Sequence, residues 1–245
     1  MSGQQGPLIL LIETATDRCS VALVNGQSVL EVIHAEAPRE HAAQLAVIID
    51  ELLNKYDSRR EQLKAVAVSS GPGSYTGLRI GVSTAKGICY ALGIPLIGID
   101  TTLAMANAYL KGAAGLGQEF NLLPVIDARR MEVYGAVYDA RLCVVEPLRA
   151  EVLHPLSFIE SNDTPVVVFG DAAVKCLEVY AGNPRVTVNT DFEMNALGLH
   201  EFACARFADQ KFEDLISFEP RYLKEFVTKR KGGVIETAGS NPQPE

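Results

Sequence analysis

The 245-residue sequence has no tryptophan, only four histidines, and no pair of cysteines spaced to share an ion. His34, His41, His154 and His200 form no H-x-x-x-H or H-E-x-x-H pair, so the helical zinc-peptidase arrangement, which needs two imidazoles on one helix face, is excluded. The five cysteines (Cys19, Cys89, Cys143, Cys176 and Cys204) stand apart without a C-x-x-C, which removes zinc knuckles and dithiol redox motifs. They read as small apolar core residues in a reducing compartment. No G-x-S-x-G elbow surrounds any serine, so no hydrolase nucleophile is indicated. Positive charge is scarce too: 22 Lys and Arg against 30 Asp and Glu give a net charge of −8, which argues against a broad nucleic-acid footprint. Apolar runs are short. "LILLIETA" has no basic flank and no small-residue cleavage site, and is expected to be a buried strand rather than a signal peptide or membrane span.

What is present begins with a regular alternation. "LILLIETAT", "CSVALVN" and "SVLEVIHAE" read as three strands joined by short turns, the second turn carrying Asn25-Gly26. In "REHAAQLAVIIDELLNKYD", Leu45, Ile49, Leu52 and Tyr56 recur at helical spacing. "KAVAVSS" is then a strand, Tyr75 to Leu92 a helix, "PLIGID" a strand and Thr101 to Lys111 a helix, giving the order βββαβαβα. The glycine-rich "KGAAGLGQ" suits a boundary. A second alternating set starts at "NLLPVIDARRMEVYGAVYDA", continues with "PVVVFG" and ends in a helix expected over Asn195 to Gln210, with no strong internal repeat at the level of residues. The tail 231–245 is rich in Gly, Pro and polar residues and is expected to be flexible.

The stretch "SSGPGSYTGLRIG" looks at first like a phosphate loop, yet it fails both common patterns. No Gly-Lys-Ser/Thr follows at the Walker distance, and the G-x-G-x-x-G spacing misses by one residue. Ser74 is placed to cap the helix that follows. Within that helix Gly77, Gly81 and Ala85 lie four apart, with Ser83, Gly87 and Ala91 as a second small stripe. Each interior glycine costs about 1 kcal/mol relative to alanine, so close approach of another backbone is the expected gain. The preceding helix is apolar around most of its circumference, and together the two helices suggest a docking face. If the stripe faces a partner, Gly81→Leu should leave the monomer folded and weaken association.

The segments "IETATDRCSVAL", "PREH", "SSGPGSYTGLRIGVSTAKGICYALGIPLIGIDTTLAMA", "DARRMEVYGAVY" and "EPRYL" together resemble the TsaB (YeaZ) family, over roughly Leu8 to Leu223. The resemblance implies an α/β fold of the actin/Hsp70/sugar-kinase type, two βββαβαβα subdomains with the second reduced. The first would span 7–110, carrying docking helices 39–56 and 75–92, and the second 111–225, with its late helix returning to the first. It further implies a cytoplasmic, non-catalytic subunit that pairs with the paralogue TsaD, with TsaE in a larger complex, to make N6-threonylcarbamoyladenosine beside the tRNA anticodon. Alone it would form a homodimer, and it would meet tRNA only through the complex and no membrane. No cofactor is required, although ATP or ADP could sit in the complex. Where TsaD carries a metal-binding histidine pair, this sequence has Thr101 and Met105, so no metal or catalytic residue is assigned.

The expected interface residues are His41, Leu45, Ile49, Leu52, Tyr75, Gly77, Leu78, Gly81 and Ala85, with Arg79 and Lys86 as its charged rim. Glu13, Thr14 and Thr16 occupy the turn where kinases of the superfamily bind phosphate, and are the candidate nucleotide contacts. Asp127, Arg129, Arg130 and Glu132 form a dense charge cluster that reads either as strand-end ion pairs or as a contact with a partner or tRNA. A metalloprotease-like or kinase-like enzyme of the same fold, or a self-associating scaffold, is the alternative.

Overall fold

The structure, a computed structural model, describes residues 6–35, 41–56, 62–112, 120–160 and 163–224, with the side chains of 41–43 outside that description. Part of the glycine-rich boundary and the tail 231–245 therefore lie outside the described residues.

The first sheet grows around a strand that is apolar on both faces. In β1 (Leu8–Glu13) every residue is buried, because Leu8, Leu10 and Ile12 point to one side of the sheet and Ile9 and Leu11 to the other. β2 (Ser20–Asn25) and β3 (Ser28–His34) add antiparallel strands, while β4 (Leu63–Gly71) and β5 (Leu96–Asp100) add parallel ones, in the order β3-β2-β1-β4-β5. The Asn25-Gly26 turn has the positive φ, 56° at Gly26, that its sequence anticipates. Helices α1 (His41–Lys55) and α2 (Tyr75–Leu92) cover one face, burying Leu45, Ile48, Ile49, Leu52, Val82, Ala85 and Cys89 against the Leu10 side. On the other face lies α3 (Thr101–Gly112), whose Ala104, Met105 and Ala106 are fully buried between this sheet and the next.

The second sheet repeats the same plan. β6 (Asn121–Asp127), β7 (Glu132–Tyr138), β8 (Val144–Val152), β9 (Val166–Phe169) and β10 (Val186–Asn189) pair in the order β8-β7-β6-β9-β10. Its reduction is specific. The stretch between β8 and β9 has no described helix corresponding to α1, and the helix corresponding to α2 is the seven-residue α4 (Ala173–Val179). The helix expected over Asn195 to Gln210 divides in two. Asn195 caps a 3-10 turn at Ala196–Leu199 through its side chain to the Leu197 N–H (2.9 Å), and α5 (His200–Ala208) continues from it. This late helix returns to the first sheet: Ala196 N–H donates to Ser20 Oγ at 2.9 Å, and His200 Nε2 lies 2.6 Å from the Gly26 carbonyl.

α2 starts where Ser74 Oγ accepts the Gly77 N–H at 3.2 Å and ends at Gly93, whose left-handed backbone (φ 63°) closes the C-terminus. The small stripe inside it meets this chain's own first turn. A Cβ at Gly77 would lie 2.1 Å from the Thr14 carbonyl oxygen, and one at Gly81 would lie 2.2 Å from Thr14 Oγ1. These glycines therefore let α2 cross the β1–β2 turn at contact distance, which corrects the expectation that Gly77 and Gly81 face a partner. Gly87, on the outer stripe, has nothing within 4 Å of an added Cβ.

Opposite outcomes are expected for the two stripes. Gly81→Leu should destabilise the isolated chain by about 1–3 kcal/mol or more, since the added side chain must displace the fully buried Thr14. Gly87→Ala should stabilise it by up to about 1 kcal/mol through helix propensity alone. Denaturant unfolding of both variants checks the pair, and a harmless Gly81→Leu would contradict the assigned contact.

Candidate functional site: the intersheet cleft and the outer face of α1 and α2

Parallel strands of both sheets end at the same place, and the chain leaving β1, β4, β6 and β9 surrounds a cleft of about 430 Å³. Crevices at the carboxyl ends of parallel strands are the usual ligand positions of open α/β sheets. Here the walls include Thr16, Asp17, Tyr75, Asp127, Tyr134 and Asp171. Asp127 accepts hydrogen bonds from Lys175 Nζ at 2.8 Å and from the Arg129 N–H at 2.6 Å. Asp171 in turn accepts the Asp127 N–H at 3.0 Å. Asp171 keeps an edge to solvent, but surrounding protein desolvates its carboxyl, and with the carboxylates of Asp127 and Asp17 near it the pKa is pushed up to about 6.

Glu13 and Thr14, read from the sequence as nucleotide contacts, do not line this cleft; Thr16 does. The reason is their strand position. Glu13 ends β1 with its carboxyl turned into the protein, where Oε1 accepts the Ala15 N–H at 2.6 Å and Oε2 accepts from Ser69 Oγ at 2.7 Å. Burial outweighs both bonds and raises its pKa to about 7. Thr14 is committed to Gly77 and Gly81, its hydroxyl buried without a hydrogen-bond partner among the described residues.

The residues read as an interface also divide. Leu45, Ile49 and Leu52 of α1 and Leu78 and Ala85 of α2 are core residues against the first sheet, so their periodicity marks the inward face. Tyr75 is partly exposed at the cleft, and the His41 side chain lies outside the described residues. Facing outward instead are Val47, 62% exposed, on α1, and Ser83, Gly87, Tyr90 and Ala91 on α2, with Tyr90 82% exposed. The outer small stripe was legible in the sequence, but the exposed Val47 and Tyr90 were not singled out. Arg79 and Lys86 are not a free rim: Arg79 Nε donates to Tyr222 Oη at 3.1 Å, and Lys86 Nζ donates to the Ile216 and Phe218 carbonyls at 3.1 and 2.9 Å.

The charge cluster after β6 is satisfied largely within the chain. Lys175 pairs with Asp127 and Lys224 with Glu132, while Arg129 and Arg130 form the connecting turn with φ of 75° and 51°. Thr101 and Met105 are both fully buried, and among the described residues no group of three His, Cys, Asp or Glu side chains is arranged to hold a metal. No described helix is long and apolar enough to cross a membrane.

Two five-stranded sheets of one strand order, with α3 between them and a cleft at their carboxyl ends, define the actin/Hsp70/sugar-kinase fold. The family model described as TsaD, tRNA N6-adenosine threonylcarbamoyltransferase, matches residues 31–240. The chain is 39% identical over 238 residues to the tRNA threonylcarbamoyladenosine biosynthesis protein TsaB of Escherichia coli (strain K12), covering 91% of this chain and 97% of that protein. It is 37% identical over 246 residues to TsaB of Haemophilus influenzae, covering 93% and 98%. The solved structure of YeaZ from Pseudomonas aeruginosa superposes with a TM-score of 0.76 over 89% of this chain and 100% of that one, at 22% identity, and supports the fold. The chain belongs to the TsaB (YeaZ) family.

The buried Glu13 carboxyl has a consequence for stability. A carboxyl whose folded pKa is raised from 4.5 to about 7 favours the fold in its protonated form. That contribution is complete below about pH 4.5 and is lost as pH rises through 7, a change of about 3 kcal/mol. Asp171 acts in the same direction with a smaller displacement. Glu13→Gln, which keeps an acceptor for Ala15 and a donor for Ser69, should therefore flatten the fall in unfolding free energy between pH 5 and 8. Urea titrations across that range measure it; an unchanged slope would remove Glu13 as its source.

Proposed function

We propose that this chain is a non-catalytic subunit for N6-threonylcarbamoyladenosine modification of tRNA, acting as the docking and activating partner of TsaD, with TsaE in a larger cytoplasmic complex. The observation that carries the reading is the match to TsaB over nearly the whole length of both proteins. In this reading 7–110 is the docking subdomain and 111–225 the reduced one, and tRNA is met only through the complex. The missing histidine pair leaves the reacting groups to TsaD, since neither the Thr101 hydroxyl nor the Met105 thioether, both buried, replaces two imidazoles at a metal.

The docking surface we assign is the outward face of α1 and α2. Its small residues Ser83 and Gly87 admit a helix at close range, and Val47 and Tyr90 supply apolar area beside them. When TsaD is absent the same face would seat a second copy of the chain, giving a homodimer. A metalloprotease-like or kinase-like enzyme would instead show turnover without TsaD.

Gly87→Leu is the discriminating variant. An added Cβ meets nothing within 4 Å and leucine favours the helix over glycine, so the unfolding temperature of the isolated chain should hold or rise. Overpacking the interface by about 1–3 kcal/mol should weaken association with TsaD by roughly ten- to a hundredfold and lower tRNA modification in a reconstituted assay correspondingly. Sedimentation with and without TsaD reads both assemblies. Full association and modification by the variant would refute this face as the docking surface.

A further inference from the structure

Residues 213–224 cross the molecule as a strap. The segment enters by an antiparallel bridge, Glu213 N–H to the Leu96 carbonyl at 2.9 Å, on the open edge of β5. Phe218 then covers Gly98 of the same strand. Lys86 of α2 grips the Ile216 and Phe218 carbonyls, leaving the Ile216 side chain 90% exposed. Next, the Arg221 N–H donates to the Ser70 carbonyl at 2.7 Å and its guanidinium meets Asp100 at 3.3 Å. Tyr222 packs against Tyr75 with ring centroids 4.9 Å apart and planes tilted by 38°, while the Arg79 guanidinium lies 4.2 Å over the Tyr75 ring and bonds the Tyr222 hydroxyl. Lys224 finally pairs with Glu132 of β7, on the second sheet.

Two features make this more than a packed terminus. Arg221, Tyr222, Leu223 and Lys224 form part of the cleft wall, so the strap closes one side of the cavity and ties the sheets together across it. Arg79 also belongs to the outer stripe of α2, one turn before Ser83 and two before Gly87. A protein seated on that stripe meets the guanidinium that seats the strap. Arg79 can bond the Tyr222 hydroxyl or a partner's acceptor with its Nε–H, but not both with that one proton.

We propose that the Tyr75–Arg79–Tyr222 cluster is a latch through which docking on the outer face of α2 loosens the 213–224 strap and opens the intersheet cleft. The latch itself is a property of the isolated chain; its coupling to docking rests on the function proposed above. An element shared by two sites couples them reciprocally, typically by 5- to 150-fold in affinity.

Hydrogen exchange on the full chain tests it, reading the Arg221 amide as strap reporter and the β1 and β6 amides as controls. Tyr222→Ala should speed Arg221 exchange by tenfold or more without changing the controls, and Tyr222→Phe, which keeps the ring contact with Tyr75, should give a smaller increase. Lys86→Met should loosen the Ile216 end alone. A thiol introduced by Ala128→Cys, in the cleft wall, should react faster with a maleimide when combined with Tyr222→Ala. If Arg221 exchange and thiol reactivity both stay at the parent level in folded Tyr222→Ala, the latch is refuted. Adding TsaD to the unaltered chain should then raise both readouts at least threefold. TsaD that binds and moves neither overturns the coupling while leaving the docking assignment standing; TsaD that does not bind removes the docking assignment and the coupling with it, and the latch is judged on the variants alone.

Discussion

The structure hangs on the crossing of α2 over the β1–β2 turn. Thr14 offers its carbonyl to the Cα of Gly77 and its side chain to that of Gly81, at distances no Cβ could share. With α2 seated this closely, Leu78, Val82, Ala85 and Cys89 reach the first sheet, Ser74 caps the helix at the cleft, and the opposite stripe is left for solvent or a partner. Two glycines in one helix cost about 2 kcal/mol in propensity. Burying that helix face against the sheet offsets the loss, since each large apolar side chain buried contributes about 1.5–3 kcal/mol.

The cleft beside this crossing is assembled from both sheets, and its electrostatics follow from that. At the ends of β6 and β9, burial and then the nearby Asp127 carboxylate raise the pKa of Asp171, while the Lys175 hydrogen bond helps hold that of Asp127 down. Glu13 sits behind them, uncharged over part of the neutral range because burial outweighs its two hydrogen bonds. In the turn after β1 the Glu13 carboxyl is bonded to Ser69 and Thr14 lies under α2, while Thr16 and Asp17 face the cleft.

The first lobe was legible because its central strands β1, β2 and β4 are apolar on both faces, because short turns join β1, β2 and β3, and because α1 and α2 are long enough to display a period. The second lobe was read only in part. β8 is a partly exposed edge strand with Pro147, Arg149 and two acidic residues, Glu146 and Glu151, β10 has four residues, and α4 has seven, too few for a pattern to emerge. The duplication of strand order was legible through the family resemblance but not as a repeat of residues, for a related reason: topology repeats while side chains differ, since each lobe packs against different helices.

From sequence alone came the element order of the first lobe, the capping role of Ser74, the lack of a histidine pair, the family resemblance, and the fact that α2 must be approached closely by something. Tertiary structure alone decided what approaches. Small residues at helical spacing specify a distance of contact but not the identity of the contacting atoms, and Thr14, far away in the chain, arrives there only because β1 and β4 pair in parallel. Arg79 and Lys86 illustrate the same limit. Their spacing placed them near the outer face of α2, yet they hold a strap more than a hundred residues distant, because the chain returns along β5 and across the cleft after α5. A periodic pattern reports the geometry of its own helix, and only long-range chain packing determines which of its faces is already occupied.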